Sequence, residues 1–103
     1  MNPSQIVLKL VLDAVRQPLE LDSFERRLMI QKKVYLTQLT GLDLAYRFGW
    51  YLHGPYCREL TNDAFRAKEQ IDGGEDDYKR ETLAPFARKL TGKAETIWAN
   101  RPD

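Results

Sequence analysis

Residues 49–60 read GWYLHGPYCREL and place three large aromatic rings, the only histidine and the only cysteine of the chain around a Gly-Pro step. Gly54-Pro55 redirects the backbone, and proline presets φ for a first helical turn, so the spacing predicts a helix from Pro55 to about Gln70. Its apolar positions, among them Tyr56, Leu60, Ala64, Ala67 and Ile71, are sparse enough to leave one face wet. On either side of the step, Trp50 and Tyr56 are expected to bury against the preceding helix. Trp50, Gly54, Pro55 and Tyr56 then form a structural corner, and Trp50→Ala is expected to cost about 3 to 5 kcal/mol in lost burial.

Upstream of the corner the apolar period is two. Leu42, Leu44, Tyr46, Phe48, Trp50 and Leu52 fall on even numbers, which is the signature of a strand. Strands usually run about 5 to 6 residues, so an extended piece over Tyr46–Leu52, bent at Gly49, is expected. Its backbone needs a partner. The local candidate is Asp77–Thr82, which follows a turn at Gly73-Gly74.

Elsewhere the period is helical. Ser4–Val15 is apolar on nearly all sides, interrupted by Lys9 and Asp13, so it must be buried on several faces or shared with a second copy. Asn2 or Ser4 can cap it, Pro3 suits its first turn if Asn2 is the cap, and Gln17-Pro18 stops it. A second helix opens at Asp22, with Glu25 at capping-box spacing, and closes at Thr40-Gly41. Phe24, Leu28, Gln31, Tyr35 and Leu39 mark its expected core face. A fourth opens near Thr82, tolerates Pro85 in its first turn and carries Leu83, Phe86, Leu90, Ala94, Ile97 and Trp98 on one side; residues 100–103 are expected to fray. The reading is a mainly α, compact four-helix domain with a short β element, one domain over residues 1–103. The order of elements also permits a winged-helix arrangement.

Composition narrows the function. Sixteen Lys and Arg against fifteen Asp and Glu give a net charge of +1, without the basic excess that phosphate-driven binding favours. With 43% hydrophobic and 30% charged residues the chain belongs to the ordered globular class. A lone cysteine fits a reducing, cytoplasmic setting, and the N-terminal apolar run is too short and too charged for a membrane span or a signal peptide.

His53 and Cys57 are the raw material of a thiol nucleophile or half a zinc site, but the intervening Gly-Pro breaks the helix that would bring them together. His53 is expected to bond neighbouring backbone and Cys57 to fill a small gap. Glu75-Asp76-Asp77 lacks the spacing of a calcium loop, and no phosphate loop or dinucleotide fingerprint is present. No catalytic residue, metal site or cofactor is expected, and the chain reads as a non-enzyme. Arg26, Arg27, Lys32 and Lys33 on the second helix keep a winged-helix DNA reader as the second expectation. The third helix, RELTNDAFRAKEQ, is nearly balanced in charge, which weakens it.

Over residues 24–66 the pattern IQKKVYLTQLTGLDLAYRFGWYLHGPYCREL resembles the SocA-like, or Panacea, antitoxin domain and its YwgA-like relatives. Gln31, Lys32, Val34, Tyr35 and Leu36 match its lysine-containing helix. Trp50, Tyr51, Gly54, Pro55, Tyr56, Glu59 and Leu60 match its aromatic segment, GP step and following polar helix. The resemblance implies a small bacterial or phage accessory domain that acts by direct contact with a partner protein, a toxin or another effector. Tyr51, His53 and Arg58, on the open side of the corner, are the expected partner-binding residues. No membrane contact is expected, and the all-round apolar first helix suits a homodimer.

Overall fold

Asn2 sets the first element. The computed structural model describes residues 1–102; Asp103, part of the end expected to fray, lies outside the described residues. Helix α1 (Pro3–Ala14) starts with a reciprocal pair, the Gln5 N–H donating to Asn2 Oδ1 at 2.9 Å and the Asn2 N–H to Gln5 Oε1 at 3.0 Å. It closes ahead of Pro18 because Arg16 turns left-handed, φ 58°, and the Gln17 N–H reaches back to the Leu12 carbonyl at 2.8 Å. Leu8, Val11, Leu12 and Val15 are buried, and α1 touches each of the other three helices. Burial on several faces is thus met largely inside the chain.

Helix α2 (Phe24–Leu39) is capped by Ser23, whose Oγ accepts from the Arg26 N–H at 3.1 Å. Asp22, the expected cap, instead pairs its carboxylate with the Arg26 guanidinium at 3.1 Å. The helix ends at Thr40 with Gly41 at φ 111°, where the sequence puts its stop. Its buried stripe is Ile30, Gln31, Val34 and Thr37, rotated from the expected face, while Phe24 and Leu39 are exposed. The reason is divided contact. Ile30 and Val34 enter the core, while Tyr35 turns to the β element and meets the rings of Phe48 and Trp50 edge-on at 5.3 and 5.4 Å.

Helices α3 (Arg58–Asp72) and α4 (Pro85–Ala99) do not touch each other, and each packs on α1 and α2 largely through small side chains. Leu60, Ala64 and Ala67 of α3 and Ala87, Thr91 and Ala94 of α4 are buried, which lets the backbones approach while Phe65, Phe86 and Ile97 project outward. The main core joins Leu8 and Leu12, Ile30 and Val34, and Cys57, Leu60 and Ala64. A second cluster of Val11, Leu42 and Ala87 seats α4. With a radius of gyration of 13.0 Å the chain is as compact as its length allows.

The β element departs from expectation. Strands β1 (Gly49–Tyr51) and β2 (Gly54–Tyr56) pair antiparallel, Gly49 opposite Tyr56, Trp50 opposite Pro55 and Tyr51 opposite Gly54. Residues 77–82 supply no strand; Asp77–Arg80 is a short 3-10 helix. Two residues, Leu52 and His53, suffice to reverse the chain because Gly54 follows at φ 116°. A two-stranded ribbon leaves one edge of each strand open, so Pro55, which has no N–H, is tolerated within β2. Helix α3 therefore begins at Arg58 rather than Pro55. Both strands of the ribbon lie between α2 and α3, whereas the expected pairing placed α3 between its two strands.

Trp50 and Tyr56 are not core residues. Trp50 is 70% and Tyr56 39% exposed, while Pro55 and Cys57, on either side of Tyr56, are buried. Pro55 is the one buried residue of β2, and opposite it in the ladder Trp50 meets Tyr35 edge-on and leaves the rest of its ring in water. Trp50→Ala should accordingly cost only about 1 kcal/mol, the worth of an aromatic pair at the surface, in place of the 3 to 5 expected for a buried ring. Urea unfolding measures the difference, and a loss above about 2.5 kcal/mol would show that the ring is part of the core after all.

Candidate functional site

The ribbon is held at its root by two side-chain amides of α2. Gln31 accepts from the Cys57 N–H at 2.8 Å and donates to the Cys57 carbonyl at 3.1 Å; its amide nitrogen also donates to Thr61 Oγ1 at 2.8 Å. Seven residues on, Gln38 treats Tyr46 in the same way, accepting from its N–H at 3.0 Å and donating to its carbonyl at 2.9 Å. Each amide imitates a neighbouring strand for one residue. The chain entering the ribbon and the chain leaving it are thereby fixed to one helix, two turns apart.

With the root fixed, strand alternation sorts the side chains. Trp50 and Pro55 share one face of the ribbon, and Gly49, Tyr51, Gly54 and Tyr56 share the other. On that second face Tyr51 and Tyr56 meet edge-on at 5.8 Å, and His53 meets Phe24 edge-on at 5.1 Å. Between the two pairs lies an open cleft of about 530 Å³, to which Leu28, Arg47, Arg58 and Glu59 also contribute. Gly49 is needed here: a Cβ on it would come within 2.9 Å of the Tyr51 ring, which lies over that glycine.

All three expected partner-binding residues, Tyr51, His53 and Arg58, line this cleft and are exposed. His53 makes no hydrogen bond to backbone among the described residues; its ring packs on Phe24 instead. Of the structural corner, Gly54 and Tyr56 line the cleft, Pro55 is buried and Trp50 stands on the far face. Sequence reasoning missed Phe24, Arg47 and Glu59. The missing signal was the register: continuing the ladder two residues past Gly49 and Tyr56 leads to Arg47 and Arg58, a relation invisible until β2 is recognised as a strand.

The resolved electrostatics of the cleft centre on Cys57 and Glu59. Burial pushes the Cys57 thiol up from its ordinary value, and Sγ donates to Glu59 Oε2 at 3.3 Å, so the sulfur stays protonated. Glu59 is held below the usual carboxylate range by its own backbone N–H and by that thiol. No hydrogen bond joins His53 to Cys57, and no group of three or more His, Cys, Asp or Glu side chains suited to a metal ion occurs among the described residues. No helix among the described residues is long and apolar enough to cross a membrane. No known protein family, curated protein or solved structure matches the chain.

Tyr46 ties the clamped root to α3. Its hydroxyl donates to Asp63 Oδ2 at 2.7 Å, and burial, then that carboxylate, hold its proton well above the ordinary tyrosine range. Unfolded, the same group ionises near pH 10. Above that pH the unfolded chain loses a proton that the native one keeps, so stability is flat in this group below about pH 10 and falls as pH rises beyond it. Tyr46→Phe should cost about 1 to 3 kcal/mol at pH 7 and should flatten this alkaline decline. Denaturant midpoints at pH 7 and pH 11 test it; an equal alkaline loss in both proteins would show that Tyr46 keeps no proton of consequence.

Proposed function

We propose that the chain is a protein-binding module, antitoxin-like in mode of action, which engages a partner toxin or other effector by direct contact and performs no chemistry of its own. One observation carries this reading. Three successive residues of the ribbon, Trp50, Tyr51 and Leu52, are 70%, 66% and 93% exposed although the ribbon root is clamped to α2. Large apolar side chains presented on a rigid turn are costly in water and are what partner surfaces bury first. Aromatic rings suit this role because they supply contact area with few rotamers to freeze.

The resemblance to SocA-like domains draws support from how its two halves meet in space. Tyr35 meets Trp50 edge-on, Val34 joins Leu60 in the core, and Gln31 bonds the backbone of Cys57, which lies between the matched Tyr56 and Glu59. The matched residues thus belong to one packing unit, the behaviour of a domain signature. The DNA-reading alternative is weaker on the same page. Three of the four basic residues of α2 are engaged within the fold: Arg26 with Glu20 and Asp22, Arg27 with the Leu21 carbonyl, and Lys33 with the Val15 carbonyl and the Trp98 ring.

Co-expression with the product of the adjacent gene tests the reading. The wild-type chain should co-purify with that product and relieve any growth arrest it causes. Tyr51→Ala, His53→Ala and Arg58→Ala together should abolish both while leaving the melting temperature within a few degrees, since all three side chains are exposed. Intact capture by the folded triple variant would rule the surface out. Salt-sensitive retention of duplex DNA in its place would favour the alternative.

A further inference from the structure

The cleft is charged in a way that the fold does not use. Arg47 and Arg58 both line it at the open end of the ladder, and among the described residues neither forms a salt bridge. The nearest acid in sequence, Glu59, already accepts the Cys57 thiol. Two cations and one anion leave the cleft with a single surplus positive charge, which a monoanionic group would balance. A phosphate dianion would overshoot it.

Beside the cleft, and sharing Phe24, Leu28 and Tyr56 with it, is a smaller notch of about 150 Å³. Three of the polar side chains that border the notch are already engaged within the fold. Arg27 donates to the Leu21 carbonyl, and Gln31 and Thr61 bond each other and the Cys57 backbone. The notch therefore offers a ligand mainly apolar surface.

We propose that this combined site receives a peptide segment of the partner in which an aspartate or glutamate side chain lies near a bulky apolar residue. The carboxylate is taken by Arg47 and Arg58, and the apolar side chain enters the notch of Phe24, Leu28 and Tyr56. Arginine suits the task because its planar fork matches a carboxylate with two parallel N–H donors. This deepens the protein-binding reading and rests on it: it names the chemistry that the cleft selects.

The test is selection of random dodecapeptides, displayed with blocked C-termini, on the folded chain at low salt, followed by affinity measurement with fluorescent copies. Recovered sequences should share an acidic residue close to Leu, Ile, Met or an aromatic. Replacing that acid by its amide on the peptide, or Arg47→Gln with Arg58→Gln on the protein, should each weaken binding by about tenfold or more. The peptide replacement reads the same contact without touching the protein, so a poorly folded double variant does not spoil the test.

Peptides lacking an acid, or affinities indifferent to both replacements, would overturn the proposal while leaving protein binding intact. Recovery of no peptide at all would overturn the cleft as a peptide site, and the broader reading would then be decided by partner co-purification alone. Displacement of the peptides by inorganic phosphate at concentrations where acetate has no effect would overturn the choice of a carboxylate.

Discussion

The structure depends on one buried amide. Gln31 is 2% exposed, and its three hydrogen bonds fix the residue at which the ribbon ends and α3 begins. Cys57 has no helix partner for its N–H and no strand partner beyond β2, so without Gln31 that donor would be buried and unmatched. An orphaned buried donor costs about 1 to 3 kcal/mol, which is why a polar side chain is better at this core position than an apolar one of the same size. Gln38 repeats the device at Tyr46, and the hydroxyl of Tyr46 then reaches Asp63. A helix, a ribbon and a second helix are joined by polar contacts that accept one geometry only.

That geometry explains why the aromatic stretch faces outward. The corner is secured by Pro55, Cys57 and Leu60, which are small or well matched to the space beside α2. Trp50, Tyr51 and Leu52 are not needed for it. Gly49 admits the Tyr51 ring and Gly54 supplies the backbone twist for a two-residue turn, so two glycines set the aromatic rings at fixed angles around an open cleft. Rigidity at the root and exposure at the tip are the properties a recognition surface needs, because little freedom remains to be lost on contact.

The four helices were legible from period and punctuation. Gly41 marks the end of α2, and Asn2 with Pro3 marks the start of α1. The cap of α2 moved by one residue because Asp22 finds Arg26, and no rule of spacing ranks a carboxylate's two local options. The ribbon was half legible. Alternation located β1, but Gly54-Pro55 carries the signals of a turn and a helix start, and nothing local says that three residues can pair before the helix begins. Gln31 fell on the predicted core face, yet its partner lies 26 residues away, a separation that periodicity does not reach. Trp50 and Tyr56 were misplaced because size and hydrophobicity do not tell which side of so short a strand meets the helix. Tyr51, His53 and Arg58 did come together in one cleft; Arg47 joined them only through the register.

The lone thiol gives direct access to the central contact. Cys57 is 1% exposed and sits inside the clamp, so an aromatic disulfide reagent reaches it only when that contact opens. Gln31→Leu leaves the Cys57 N–H and carbonyl without their partner, and native-state labelling should accelerate by about tenfold to a hundredfold, the kinetic equivalent of that loss. The opening free energy from labelling should also fall below the global unfolding value from urea, because the root loosens before the core does. A Gln31→Leu protein that labels as slowly as wild type would contradict the account, since the corner would then be held by something other than the amide.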